Sequence, residues 1–233
     1  MPRPPFGRPR VSPMRSHALL VLLTIEFFVA PAFLSQENRS VWVLLHAVFQ
    51  ALIFVFLIGI VRHRMLAGIC TGLLIAGMLL SQIGSEPGGW AANTADLANA
   101  TATMIVLAVA LKRFFVITDV TAATISSALA VYLIAGIFWS LLYTIIESAS
   151  PGSFFIGGDT ASRTDLHYFS YVTMTTLGYG DVVPRHGFAR SCALAQALLG
   201  QVFIAVIVGR LVAIYVSRGS TPPAQVTGQD DEQ

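Results

Sequence analysis

Six apolar stretches alternate with shorter polar breaks along the chain, near residues 17 to 34, 40 to 61, 65 to 83, 92 to 111, 121 to 147 and 187 to 216. Each approaches or exceeds the roughly 20 residues that a helix needs to cross a bilayer core. Short gaps between the first four predict antiparallel helical hairpins, whereas the gap between the fifth and sixth is long. Within it, Pro151, Gly152, Gly157 and Gly158 forbid a continuing helix and predict an outer loop over 148–163. A short helix is expected over about 165–175, capped by Thr164 or Asp165. The pattern therefore predicts an all-α membrane protein of six transmembrane helices, with a loop and a short helix between helices five and six.

Composition agrees with that class. Hydrophobic residues make up 55% of the chain, charged residues 11%, and mean hydropathy is +0.72, which excludes an ordinary soluble globule. Cys70 and Cys192 lie in or beside apolar stretches, so buried free thiols are expected rather than a disulfide framework or metal site. The position of charge says more than its +2 sum. Arg3, Arg8, Arg10, Arg15, Arg62, Arg64, Lys112, Arg113 and Arg218 share one side if six helices thread alternately. The other side receives Glu37, Glu86, Glu147, Asp159, Asp165 and Asp181 among fewer basic residues. Both termini are thus expected in the cytoplasm, with the 148–186 segment facing outward. A basic start followed by an apolar run and Ala30-Pro31-Ala32 also imitates a cleavable signal peptide. The proline and the short hairpin into the next helix favour retention.

The chemistry is concentrated in Thr173-Met174-Thr175-Thr176-Leu177-Gly178-Tyr179-Gly180-Asp181. Taken alone, this is a Thr-rich strand and a Gly-containing turn. In a membrane protein, the same order resembles the selectivity filter of the potassium channel family, in which rings of backbone carbonyls replace the ion's hydration shell. Leu177 stands where the family usually carries valine. Consecutive carbonyls reach one axis only if the backbone alternates in hand, which suits Gly178 and Gly180. The resemblance makes Thr176, Leu177, Gly178, Tyr179 and Gly180 the ion-binding segment, with K+ at the carbonyls of Thr176, Leu177, Gly178 and Tyr179.

The same resemblance, extending over roughly 118 to 218, implies that the short helix is a re-entrant pore helix leading into the selectivity filter, and it assigns supports and a gate. Tyr168 and Phe169 occupy an aromatic cuff that is often tryptophan, and Val172 stands where some bacterial relatives carry a glutamate. With Thr175 and Asp181 these residues are expected to brace the filter. Asp181 either anchors it through the Tyr168 hydroxyl or raises the local cation concentration. Gly200 aligns with a hinge glycine, though close packing on the pore helix is an equal reading. Gln201, Ile204, Val208 and Val212 share a helical face and are expected to line the cavity or gate. One filter segment per chain implies a homotetramer.

In six-helix voltage-gated relatives the fourth helix carries Arg or Lys at every third position. Residues 92–111 contain neither, which predicts little voltage dependence. Glu26, His46, Gln50 and Asp96 are intramembrane polar residues. Glu26 and His46 either order the bundle or sense protons, Asp96 is expected near the solvated outer interface, and Gly68, Gly72 and Gly77 fit small-residue helix packing.

The sequence thus divides into a cytoplasmic segment 1–16, a sensor-like four-helix domain 17–113, a pore domain 114–218 and a disordered cytoplasmic tail 219–233. The expected activity is passive, potassium-selective conduction by a multi-pass protein of the plasma or inner membrane. No enzyme chemistry or cofactor is expected, K+ is the permeant ion, and the partners are three further copies and membrane lipid, not nucleic acid. A weakly selective cation channel and a non-conducting sensory protein with the same architecture are the alternatives.

Overall fold

The computed structural model describes residues 21, 64–83, 89–116 and 121–219. The segment 1–16, the first two expected spans apart from Val21, the candidates Glu26, His46 and Gln50, and the tail beyond Gly219 lie outside the described residues. The order of elements is α1 (Arg64–Ile83), α2 (Trp90–Val116), α3 (Ala122–Ala149), β1 (Phe154–Ile156), β2 (Asp159–Thr160), α4 (Arg163–Met174), β3 (Val182–Pro184) and α5 (Gly187–Gly219). Among the described residues, three helices are long and apolar enough to cross a membrane, over Trp90–Lys112, Thr124–Ala149 and Gly187–Arg210.

The helices pack in chain order: α1 along α2, α2 along α3, and the short α4 between α3 and α5. Several polar side chains on α2 bond to their own backbone, which lowers their cost in an apolar setting. The hydroxyls of Thr94, Thr101 and Thr103 donate to the carbonyls of Trp90, Leu97 and Asn99 at 2.9, 2.7 and 2.8 Å. Of the three glycines expected to allow close helix packing, only Gly77 meets a neighbour, Asn99 on α2. Among the described residues nothing approaches the Cβ directions of Gly68 and Gly72.

Helix α3 begins at Thr121, whose side chain accepts from the Thr124 N–H, and ends just before Pro151. The expected plain outer loop instead carries β1 and β2, which join β3 in a three-stranded antiparallel sheet of order β2-β1-β3, so the fold is mostly helical rather than all-α. Phe155 pairs with Val183 and with Thr160. Glu147 organises the approach, accepting from the Gly152 N–H at 2.7 Å and the Phe154 N–H at 2.9 Å. Gly152 takes φ +83° in this turn, a left-handed conformation that a side chain would strain.

Neither Thr164 nor Asp165 caps the short helix. Ser162 does, its hydroxyl accepting from the Asp165 N–H while the Asp165 carboxylate accepts from the Ser162 N–H. This is a reciprocal capping box, available because Ser and Asp stand three residues apart. A core of Tyr143, Ile146, Phe154, Ala161, Leu166, Phe169, Val182 and Ala189 joins α3, the sheet, α4 and α5. Its strand members, Phe154 and Val182, fix the segment just after the glycine-rich loop.

Candidate ion-conduction site

The end of α4 feeds directly into the loop 175–181, and the last carbonyls of that helix are all engaged. Tyr171 O accepts from the Thr175 N–H at 2.9 Å and Thr173 O from the Thr176 N–H at 3.0 Å. Val172 O accepts from both the Leu177 N–H, at 3.0 Å, and the Gly178 N–H, at 3.3 Å. Met174 O accepts from the Tyr132 hydroxyl of α3, also at 3.0 Å. These bonds satisfy groups that a helix end leaves open and set the loop's starting position.

Along the loop the backbone alternates in hand. Thr176, Gly178 and Gly180 have φ of 58°, 57° and 78°, while Leu177 and Tyr179 do not take positive φ. Thr176 is the one non-glycine residue with positive φ among those described. For a β-branched residue this conformation is strained, by about 1–3 kcal/mol. Its hydroxyl is held on two sides, donating to Thr175 O at 2.7 Å and accepting from Gln201 Nε2 at 3.0 Å. All five residues from Thr176 to Gly180 are exposed, Tyr179 to 65%.

The expected supports separate into two kinds. Tyr168 donates its hydroxyl to Asp181 Oδ2 at 2.8 Å, while the Asp181 carboxylate also accepts from the Val182 N–H at 3.0 Å. The Tyr168 hydrogen bond, helped by the backbone N–H, pulls the Asp181 carboxyl below its ordinary range. The same hydrogen bond pushes the Tyr168 phenol up to about 12. Phe169 instead turns into the core, its ring 5.2 Å from Tyr143 and 5.4 Å from Phe154. Val172 is buried and contributes through its carbonyl, and the Thr175 hydroxyl donates back to Tyr171 O at 2.7 Å.

On α5, a Cβ at Gly200 would overlap the carbonyl oxygen of Met174, so the glycine permits direct contact between α5 and the end of α4. Gln201 reaches the loop as described, while Ile204, Val208 and Val212 are exposed further along the helix. Asp96 does not sit in solvent. It is buried and accepts from Arg163, in the first turn of α4, at 2.5 and 2.9 Å. Four other residues went unrecognised in the sequence: Tyr132, Tyr143, Ser170 and Gln196. Each makes a hydrogen bond to a partner at least 26 residues away, and no local pattern encodes such a pairing.

Residues 120–217 match the family model described as ion channel. That segment resembles an ion channel domain. The match and the apolar helices support a multi-pass membrane protein, and the match points to a channel rather than an enzyme. The inward rectifier potassium channel Kirbac3.1 of Paramagnetospirillum magnetotacticum is 34% identical over 86 residues, 35% of this chain and 26% of the relative. Two pore potassium channel a of Oryza sativa subsp. japonica is 31% identical over 88 residues, 38% and 23% of the two chains. Protein LctB of Bacillus caldotenax is 34% identical over 87 residues, 35% of this chain and 64% of the relative. The chain therefore spans about a quarter of the length of the first two relatives and under two thirds of the third.

Proposed function

We propose that four copies of this chain form a potassium-selective channel, with Thr176 to Gly180 as the selectivity filter and the carbonyls of Thr176, Leu177, Gly178 and Tyr179 as K+ ligands. The observation that carries this reading is the alternation in hand at Thr176, Gly178 and Gly180, the backbone pattern that successive carbonyls facing one axis require. Similarity to two proteins named as potassium channels supports the choice of ion. One chain supplies a quarter of a carbonyl ring, so three more copies complete it.

Exposure favours such an assembly. Leu177, Tyr179, Leu198, Val202 and Val206 are exposed apolar side chains on the loop and α5 that further copies would cover. In this reading Gln201, Ile204, Val208 and Val212 line the cavity and gate, and 114–218 is the pore domain. The 17–113 region is a sensor-like domain whose fourth helix carries no basic residue over 92–111, which favours weak voltage dependence. Conduction is passive, with K+ as permeant ion and no cofactor. The termini face the cytoplasm from a cell membrane.

Potassium efflux from vesicles containing the purified chain, followed by reversal potentials in a K+/Na+ gradient, tests the proposal. The expected reversal lies close to the K+ equilibrium potential. A reversal near zero would replace it with a weakly selective cation channel. Absence of flux, with no barium-sensitive component, would replace it with a non-conducting membrane protein.

A further inference from the structure

Three helices meet at one wholly buried glutamine. Gln196 lies on α5, and its amide Nε2 donates to Ser170 O at 2.9 Å and Ser170 Oγ at 2.8 Å, both on α4. Its Oε1 accepts the Tyr143 hydroxyl of α3 at 2.5 Å. Ser170 is also wholly buried, and its hydroxyl donates to Gly136 O on α3 at 2.8 Å. Both amide hydrogens, the amide oxygen and both hydroxyls are therefore engaged. A polar network closed in this way is specific in geometry, because displacing any member leaves a desolvated group unpaired.

Its register matters as much as its closure. Gln196 and Gly200 are four residues apart on α5, hence on one face. Ser170 and Met174 are likewise four apart on α4. Gln196 meets Ser170 and Gly200 meets Met174, so the two faces run together for a full turn. Close approach on the far side is secured at Gly136, where a Cβ would overlap the Tyr171 ring. Between the two contacts on α4 lies Val172, whose carbonyl holds the N–H groups of Leu177 and Gly178.

We propose that Gln196 is a positioning residue for the filter: through Ser170 it fixes the depth and rotation of α4, and hence the Val172 carbonyl that holds Leu177 and Gly178. Displacement of α5 at this level is transmitted to the filter by the same hydrogen bonds. The inference rests on the reading of 176–180 as a conducting filter and adds a coupling between that filter and the inner helix.

The test uses the full chain reconstituted in vesicles and planar bilayers. Wild-type K+ flux is measured first, and its absence would count against the conduction reading itself. Given flux, Gln196→Leu is expected to speed the decay of current after external K+ is lowered by about tenfold or more, in line with losing at least one buried hydrogen bond. Tyr143→Phe, which removes a single hydroxyl, is expected to act in the same direction more weakly, and supplies the measurement if Gln196→Leu does not fold. The triple variant Gln196→Leu, Ser170→Ala, Tyr143→Phe replaces the network with apolar groups and is expected to recover thermal stability while keeping the fast decay. Wild-type decay in a folded Gln196→Leu or Tyr143→Phe protein overturns the proposal. So does wild-type decay in the triple variant, which would show that the network only packs the helices.

Discussion

The carboxylate of Asp96 on α2 is clasped by both terminal nitrogens of Arg163 in the first turn of α4, yet the two sides of the pair meet water very differently. The Asp96 side chain is 3% exposed and that of Arg163 49%. A cation in the first turn of a helix also opposes the helix dipole, so the carboxylate stabilises Arg163 locally as well as neutralising it. This pair links α2 to the helix that leads into the 175–181 loop.

The asymmetry predicts unequal costs for breaking the pair. Removing one partner of a fully buried pair costs roughly 3–5 kcal/mol, largely because the other charge is left unpaired in a dry site. Arg163→Ala strands Asp96 in that way and is expected to cost about 2 kcal/mol, discounted for the exposed guanidinium. Asp96→Asn leaves an arginine that solvates freely and is expected to cost about 1 kcal/mol or less. Thermal unfolding of the two single variants in detergent measures the difference; equal costs would mean that Asp96 is solvated.

Glycines on α5 are predicted to differ sharply in tolerance. Gly200→Ala drives a methyl into Met174 O and is expected to destabilise by about 1–3 kcal/mol or more. Gly209→Ala meets nothing within 4 Å of its Cβ and is expected to stabilise the helix by about 0.5–1 kcal/mol. Melting temperatures of both variants check this. Loss of function in Gly200→Ala alone would not demonstrate a hinge, because the clash acts in a rigid helix too.

Glu147 holds the start of the sheet with two charge-assisted bonds to backbone N–H groups. Glu147→Ala is expected to lower stability by about 2 kcal/mol, with hydrogen exchange rising first at Gly152 and Phe154. Unchanged exchange at those amides would show that strand pairing alone holds the turn.

Local features of this fold were legible in the sequence, and distant pairings were not. Apolar length placed α1, α2, α3 and α5 within a few residues of their ends. Gly178 and Gly180 announced the left-handed positions because few other residues accept them. The capping box was equally local, since Ser162 and Asp165 stand three apart, but the Thr164 and Asp165 that follow offered competing caps. Strand β1 was hidden because three residues, Phe154 to Ile156, carry too little period, and their partner β3 lies beyond α4. Asp96 finds Arg163 across 67 residues, and Gln196 on an apolar helix gave no sign of the serine and tyrosine that satisfy it.

The Tyr168–Asp181 hydrogen bond predicts how the Asp181 end of the loop responds to acid. An ordinary aspartate titrates near pH 3.9, and Asp181 is held below that, chiefly by the Tyr168 hydroxyl. A carboxyl whose value is depressed on folding stabilises the fold fully above its unfolded value, and that contribution fades as pH falls through the lower folded value. The brace is therefore expected to be constant from pH 7 to about pH 5 and to weaken only below about pH 4. Tyr168→Phe removes the largest cause, so the Asp181 titration is expected to move upward toward the ordinary value, bringing the acid-induced loss with it. Carboxyl titration by NMR, alongside stability measured from pH 7 to pH 3, reads both effects. An Asp181 titration unchanged by Tyr168→Phe would mean that the Val182 N–H, not the phenol, holds the carboxylate.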